Sequence, residues 1–196
     1  ESEAALNLSL RVARAVDNQN SNEDERSFAR ISTAISKYWI TKRAPYLVFE
    51  ALECHGGPGY IEESIMPRLY REAPLNSIWE GSGNVMCLDV LRALQRDKNA
   101  LPSLFRELAS AKGSNKNFDE SFSHLKETLQ DPIDLEVEAR LLTEKMACLI
   151  QASIFIKSGE EEKVSAFCNS RLGPRWSGAF GTLPTDTSFE YIMGGL

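Results

Sequence analysis

At 196 residues, with 42% hydrophobic and 26% charged side chains and a net charge of −6, the chain has the composition of a globular protein of one domain or two small ones. Disordered, collagen-like and disulfide-scaffold classes are excluded, and no apolar run approaches the roughly 20 residues that cross a bilayer. The charge is net −2 over residues 1–36, zero over 37–96 and −4 over 97–196, with no basic stripe, which disfavours nucleic acid as a partner because phosphate binding needs clustered Lys and Arg.

Helical periodicity runs along nearly the whole chain. Glu1 to Val16 reads as an amphipathic helix with Leu6, Leu10, Ala13 and Val16 recurring at spacings of 4, 3 and 3. No initiator Met or targeting segment precedes it, so the expectation is a fragment that begins inside a larger fold. A second helix carries Phe28, Ile31, Ile35, Tyr38, Lys42, Tyr46 and Phe49 on one row. Lys42 is its polar member, placed to snorkel or to face a partner, and Pro45 should kink the helix by removing a backbone donor. Five glycines between Gly56 and Gly83 then mark a loop-rich stretch. Beyond it a helix over 85–97 presents Val85, Leu88, Leu91 and Leu94 or Gln95 on one face, and another spans Leu101–Ala111, ended by Lys112-Gly113. A polar loop over 113–118 leads to a short helix over 119–129. Asp131-Pro132 reads as an N-cap with proline at the first helical position. It opens a long helix with Leu135, Ala139, Leu142, Met146, Leu149, Ser153 and Ile156 on one face, closed by Ser158-Gly159. Glu160, Glu161 and Glu162 suit the first turn of the next helix, where the macrodipole favours acids, better than a metal site. From Gly173 the pattern decays into an extended, loosely packed tail whose aromatics can dock on the body or on another subunit.

The four cysteines, Cys54, Cys87, Cys148 and Cys168, match neither a CxxC pair nor a zinc framework. Cys87 and Cys148 read as buried free thiols, and a reducing, intracellular (cytoplasmic) location fits.

Chemistry concentrates in residues 53–92. Gly56-Gly57-Pro58-Gly59 permits a tight turn or a close backbone approach. Glu80 lies between Trp79 and Gly81; a carboxylate beside a large aromatic in apolar surroundings would be desolvated and suited to act as a general base. The amides of Gly81, Ser82, Gly83 and Asn84, at a helix start, can bind an anion or a polar ring edge. Each feature taken singly also fits a plain helical turn with an acidic cap. His55 reads as a loop-satisfied histidine, His124 as a surface one, and Arg68, Arg71 and Arg92 as salt-bridge partners of Glu62, Glu63, Glu72 or Asp89.

Three separated elements carry a resemblance: Glu53-Cys54-His55-Gly56-Gly57-Pro58-Gly59-Tyr60, Tyr70-Arg71-Glu72, and Ile78-Trp79-Glu80-Gly81-Ser82-Gly83-Asn84. In this order and spacing they resemble the C-terminal helical domain of the acyl-CoA dehydrogenase flavoproteins. The finer wording is similar to the AidB-like branch, associated in bacteria with the response to DNA alkylation. The resemblance is strong to about Arg96 and extends more weakly through the later helices, including Ser170-Arg171-Leu172.

The resemblance implies an all-α fold: a four-helix bundle of the acyl-CoA dehydrogenase C-terminal type over residues 1–98, an additional helical extension over 99–172 and an irregular tail over 173–196. It implies FAD as cofactor in the full-length context, with Glu53, Gly56, Gly57, Trp79, Gly81, Ser82, Gly83 and Asn84 near it. The Gly56-Gly57 turn would reach the FAD of a neighbouring subunit. Glu53 stands where the family has Gln, Trp79 where Tyr or Phe is usual, Ser82 where Thr is frequent, and Asn84 where Gln is common. Glu80 matches the position that often supplies the catalytic base, removing the Cα proton of an acyl-CoA thioester while a Cβ hydride passes to flavin. No metal is implied. The partners implied are acyl-CoA and further copies of the chain, as a homo-oligomer built as a dimer of dimers. The fragment alone is expected to be inactive and to hold FAD weakly or not at all. The alternatives are a DNA-binding protective flavoprotein, which the acidic balance opposes, and a non-catalytic helical module that binds acyl ligands or assembles subunits.

Overall fold

The computed structural model describes residues 1–130 and 135–194. These form helices α1 (Ser2–Asn18), α2 (Glu23–Cys54), α3 (Gly57–Tyr60), α4 (Met66–Glu72), a 3-10 turn (Ala73–Ser77), α5 (Gly83–Arg96), α6 (Ala100–Ala109), α7 (Lys116–Gln130), α8 (Leu135–Ser158), α9 (Glu161–Arg171) and α10 (Phe189–Gly194). No strand occurs among the described residues, as an all-α fold requires. The Asp131-Pro132 cap lies outside the described residues.

The long helices have local reasons to start and stop. Asn22 caps α2, its Oδ1 accepting from the amides of Asp24 (2.9 Å) and Glu25 (3.2 Å), and Glu23, Asp24 and Glu25 in the first turn match the helix dipole. Gly159, at φ 78°, gives the left-handed residue that closes α8, whereas α6 already ends at Ala109 and Gly113, three residues past its cap, donates its amide to Asp119 (3.0 Å). α2 runs as one helix through Pro45 for 32 residues, about 48 Å.

α2 and α8 form the central pair. They pack on each other, and each packs on α1 and α5; α6 contacts both, while α7 and α9 pack on α8. α8 is buried on nearly every side, from Leu142 and Thr143 through Met146–Ser153 to Phe155, as a helix apolar all round must be. Its polar groups are satisfied inside: Thr143 donates to the Ala139 carbonyl (2.7 Å), Ser153 to that of Ile150 (2.8 Å), and Gln151 accepts from Trp39 Nε1 (3.1 Å). One apolar core runs from Leu8 and Ile31 through Val90 and Leu104 to Leu149 and Cys168.

The buried faces differ from the sequence rows in three places. On α1 the core takes Ala4, Leu8 and Ala15, whereas Leu6, Leu10 and Val16 are exposed; the small alanines let α1 lie against α2 and α8. On α5 the buried residues are Gly83, Cys87, Val90, Leu91 and Ala93, and Val85 is exposed. On α2 the row is buried from Phe28 to Tyr38 but Tyr46 and Phe49 are exposed, because α2 continues past the bundle and there meets α3, α4 and the 3-10 turn. α7 begins at Lys116, earlier than its periodicity indicates.

The tail is partly ordered against the body. Trp176 packs edge-on against Trp39 at 6.5 Å and donates to Glu144 (2.7 Å). Arg43 stacks under Phe180 at 4.1 Å, donates to the Gly178 carbonyl (2.6 Å) and pairs with Glu1 (3.0 Å). The aromatics at 189 and 191 fall in or beside α10 and are exposed.

Candidate functional site

The residues singled out by sequence fall into two groups, both mounted on α2. Trp79, Glu80, Gly81, Ser82, Gly83 and Asn84 form the turn into α5. Glu53, Gly56 and Gly57 form the far end of α2 and the turn into α3.

Glu80 adopts φ 55°, the one non-glycine residue in the left-handed region among the described residues. That conformation costs an L-residue about 1–2 kcal/mol, so the surroundings must hold it. They do so through Lys37 on α2. Its ammonium donates to the carbonyl of Trp79 (2.7 Å) and to that of Gly81, bracketing Glu80 from both sides. Gly81 supplies a second left-handed residue, φ 116°. Gly83 then packs on α2 so closely that a Cβ there would stand 2.8 Å from Lys42 Cε and 3.4 Å from the Tyr38 ring. One stretch of α2, Lys37 to Lys42, thus grips the whole turn. Lys42 lays its stem against Gly83, which explains the polar member of the apolar row. Sequence reasoning missed Lys37, since a lysine beside a buried row reads as solvated; its signal was its place one residue before Tyr38 on the face that receives α5.

The rest of the turn leaves its chemistry outward. Ser82 occupies the cap position of α5 in extended conformation without a side-chain cap bond, so its hydroxyl remains available. Asn84 accepts from Arg140 Nε of α8 (3.3 Å), tying α5 to the central helix. Trp79 is 56% exposed and donates to Asn76 (3.2 Å). Glu80 is exposed as well. The desolvated setting expected for a general base is therefore not supplied by this chain alone. Competing acid–base groups behind the turn are silent. Burial, with Cys87 alongside, pushes the Tyr38 hydroxyl up to about 12, and burial also raises the Cys87 thiol, so both stay protonated near neutrality.

The second group begins at Glu53, eleven residues beyond Lys42 on α2, roughly 16 Å of helix rise. The structure does not bring the two groups into one pocket. Gly56 turns the chain with φ 61°, and a Cβ on Gly57 would meet nothing within 4 Å. Glu53, Gly56 and Gly57 are all exposed, leaving bare backbone that a flat group can approach. Beside it, Leu52, Tyr60, Ile61, Pro67, Tyr70 and Arg71 line a hollow of about 430 Å³. His55 Nδ1 sits 2.8 Å from the Ala51 carbonyl, a loop-satisfied histidine. Arg71 pairs with Glu62 (2.6 Å), Arg68 with Glu72 (3.2 Å) and Arg92 with Asp89 (2.9 Å). Among the described residues no cluster of three His, Cys, Asp or Glu is arranged to hold a metal ion, and no helix is long and apolar enough to cross a membrane. Glu160 stands at the N-cap position of α9 without a side-chain cap bond and pairs with Lys163 at 2.7 Å.

The chain is 39% identical over 168 residues, 86% of its length, to the putative acyl-CoA dehydrogenase AidB of Escherichia coli (strain K12), and covers 30% of that protein. It is 34% identical over 113 residues to acyl-CoA dehydrogenase family member 11 of Caenorhabditis elegans, 58% of this chain and 18% of that protein. Its fold matches the crystal structure of Caenorhabditis elegans ACDH-11 in complex with C11-CoA with a TM-score of 0.73 at 24% identity, over 86% of this chain and 34% of that one. The chain therefore spans about a third or less of the length of these relatives. The family model for the acyl-CoA dehydrogenase C-terminal domain matches residues 1–95, the stretch that holds both groups of site residues, and the chain belongs to the acyl-CoA dehydrogenase family through that domain.

Proposed function

We propose that this chain is the C-terminal helical part of an FAD-dependent acyl-CoA dehydrogenase-like oxidoreductase, in which Glu80 removes the Cα proton of an acyl-CoA thioester. The observation that carries this reading is the left-handed Glu80, held between two carbonyls bound by one lysine: a strained, exposed carboxylate on a rigid mount is a functional arrangement rather than a cap. Bound FAD would supply the hydride acceptor that such a reaction needs. The residues present fit the cofactor: Gly56 and Gly57 offer backbone without obstruction, and Ser82 keeps an uncapped hydroxyl at the start of α5. Trp79 walls the turn beside Glu80. The carboxylate of Glu53 takes the place of a neutral amide and suits a donor of the cofactor rather than its phosphates.

The distance between the two groups along α2 supports an assembly in which Gly56 and Gly57 serve one cofactor and Glu80 another. This fits a homo-oligomer, a dimer of dimers in the full-length protein. Exposed Leu6, Leu10, Ile65, Ile78 and Trp79 are then covered by the remainder of the protein and by neighbouring copies, which also supplies the desolvation that Glu80 needs. Residues 1–98 form the family-type part in this reading, with 99–172 an extension that contributes α8 to its core. DNA is not part of the reading, since the arginines of the motif stretch are paired with carboxylates.

The test is flavin bleaching of the full-length protein by acyl-CoA substrates of graded chain length. Bleaching that Glu80→Gln abolishes supports the reading. Full FAD content without bleaching by any acyl-CoA overturns the enzymatic reading, and bleaching untouched by Glu80→Gln overturns Glu80 as the base.

A further inference from the structure

The base proposed above is itself only as well aimed as the turn that carries it, and that turn has no intrinsic reason to hold its shape. Glu80 sits in a backbone conformation that L-residues avoid and is exposed, and half-buried Gly81 beside it is the most permissive residue there is. Lys37 alters this. It stands on α2 between buried Ile35 and buried Tyr38 and Trp39, so its backbone is fixed by the core. Thr41, one helical turn on, donates its hydroxyl to the Lys37 carbonyl (2.6 Å). The ammonium reaches the carbonyls of Trp79 and Gly81 together. These two carbonyls flank residue 80, so the peptide planes before and after Glu80–Gly81 are both tied to one cation. With the planes before Glu80 and after Gly81 held, only the Glu80–Gly81 peptide between them lacks a tie to Lys37, and the range open to Glu80 is narrowed.

We propose that Lys37 is a positioning residue for Glu80: through its two backbone bonds it imposes the left-handed turn that aims the carboxylate. The ammonium's bonds go to carbonyl oxygens, so Lys37 acts on Glu80 through the backbone. This rests on the assignment of Glu80 as base, and the experiment separates the two claims. A lysine fits the task because a point charge with three rotatable donors can serve two carbonyls set two residues apart.

Two measurements test it. In the 196-residue chain, NMR backbone couplings and Cα and Cβ shifts of Glu80 report the sign of φ in wild type, Lys37→Met and Lys37→Arg. Positive φ is expected in wild type and in Lys37→Arg, and negative φ in Lys37→Met with the core resonances unmoved. Positive φ in Lys37→Met overturns the proposal. Should the Met variant lose its dispersed core resonances, Lys37→Arg decides, and negative φ there with an intact core overturns it as well. In the full-length flavoprotein, Lys37→Met should slow bleaching at saturating acyl-CoA by about 10–100-fold, leave the half-saturating concentration within about twofold, and be rescued in part by Lys37→Arg. If Glu80→Gln abolishes bleaching while Lys37→Met bleaches at the wild-type rate, the positioning role fails and the base assignment stands. If Glu80→Gln bleaches normally, the base assignment fails, and the NMR result alone decides whether Lys37 shapes the turn.

Discussion

Gly59 lies directly against the end of α2: a Cβ built on it would overlap the carbonyl oxygen of Leu52 and stand 2.9 Å from His55 Cβ. Gly57, two residues earlier, has open space where its Cβ would be. The glycine-rich segment therefore contains glycines with different duties. Gly59→Ala should destabilise the chain by about 1–3 kcal/mol, because the obstacle is backbone that cannot step aside. Gly57→Ala should stay within about 0.5 kcal/mol of wild type and yet lower FAD retention in the full-length protein, if bare backbone at 57 is what the cofactor approaches. Urea unfolding of both variants, with flavin content of the full-length forms, checks the pair.

Glu80→Gly should stabilise the chain while removing the base. Relief of the left-handed strain returns about 1–2 kcal/mol, and the added freedom of glycine in the unfolded chain takes back about 0.4–1 kcal/mol. The net expectation is a gain of about 0.5 kcal/mol in a urea titration, together with loss of bleaching in the full-length protein. A loss of stability would show that Glu80 is not strained.

Glu107 ties four helices together. It pairs with Arg11 of α1 (2.8 Å), which also holds Glu25 of α2 (2.8 Å), and with Lys157 of α8 (2.6 Å). Burial pushes its carboxyl upward, and the bonds from Arg11 and Lys157 outweigh this and hold it below the ordinary value of 4.5. A carboxylate depressed in the folded state contributes stability that is fully present above the unfolded value and is lost as pH falls through the folded one. Glu1, held down by Arg43 and Arg171 against its own burial, acts in the same direction. Stability should therefore decline as pH drops below about 4.5. Glu107→Gln should cost about 1.5–3 kcal/mol at pH 7 and flatten that acid limb. Thermal unfolding between pH 3 and 7 reads both effects.

The thiols should sort by burial. Cys54 is exposed, while Cys87, Cys148 and Cys168 are buried. Burial raises all three buried thiols, Cys168 to about 12, and the thiolate is the reactive form. A thiol reagent at pH 8 should label Cys54 alone in the native chain and all four cysteines in denaturant. Rapid native labelling of Cys87 would mean that α5 opens away from α2.

Helix positions were legible because they are local. The glycine at 159 and the 3–4 spacing of Phe28, Ile31, Ile35 and Tyr38 each act within a turn or two of chain. Which side of a helix is buried was less legible. α1 offers a larger apolar row through Leu6 and Leu10, but its alanine side is the one that fits against α2 and α8, and packing distance outranks side-chain size there. The motif residues stood out by their wording, and the sequence alone placed Glu80, Gly81 and Ser82 at the start of a helix.

What the sequence determined by itself was thus the all-helical class, the family resemblance and the identity of the candidate base. The tertiary structure decided how that base is held. Lys37 and Glu80 are 43 positions apart, and no periodicity links a helical lysine to carbonyls on a distant turn. Only the docking of α5 onto α2 brings them together. The same docking separates the Gly56-Gly57 turn from Glu80 along α2, because a continuous helix between two attachment points keeps them apart by its own rise.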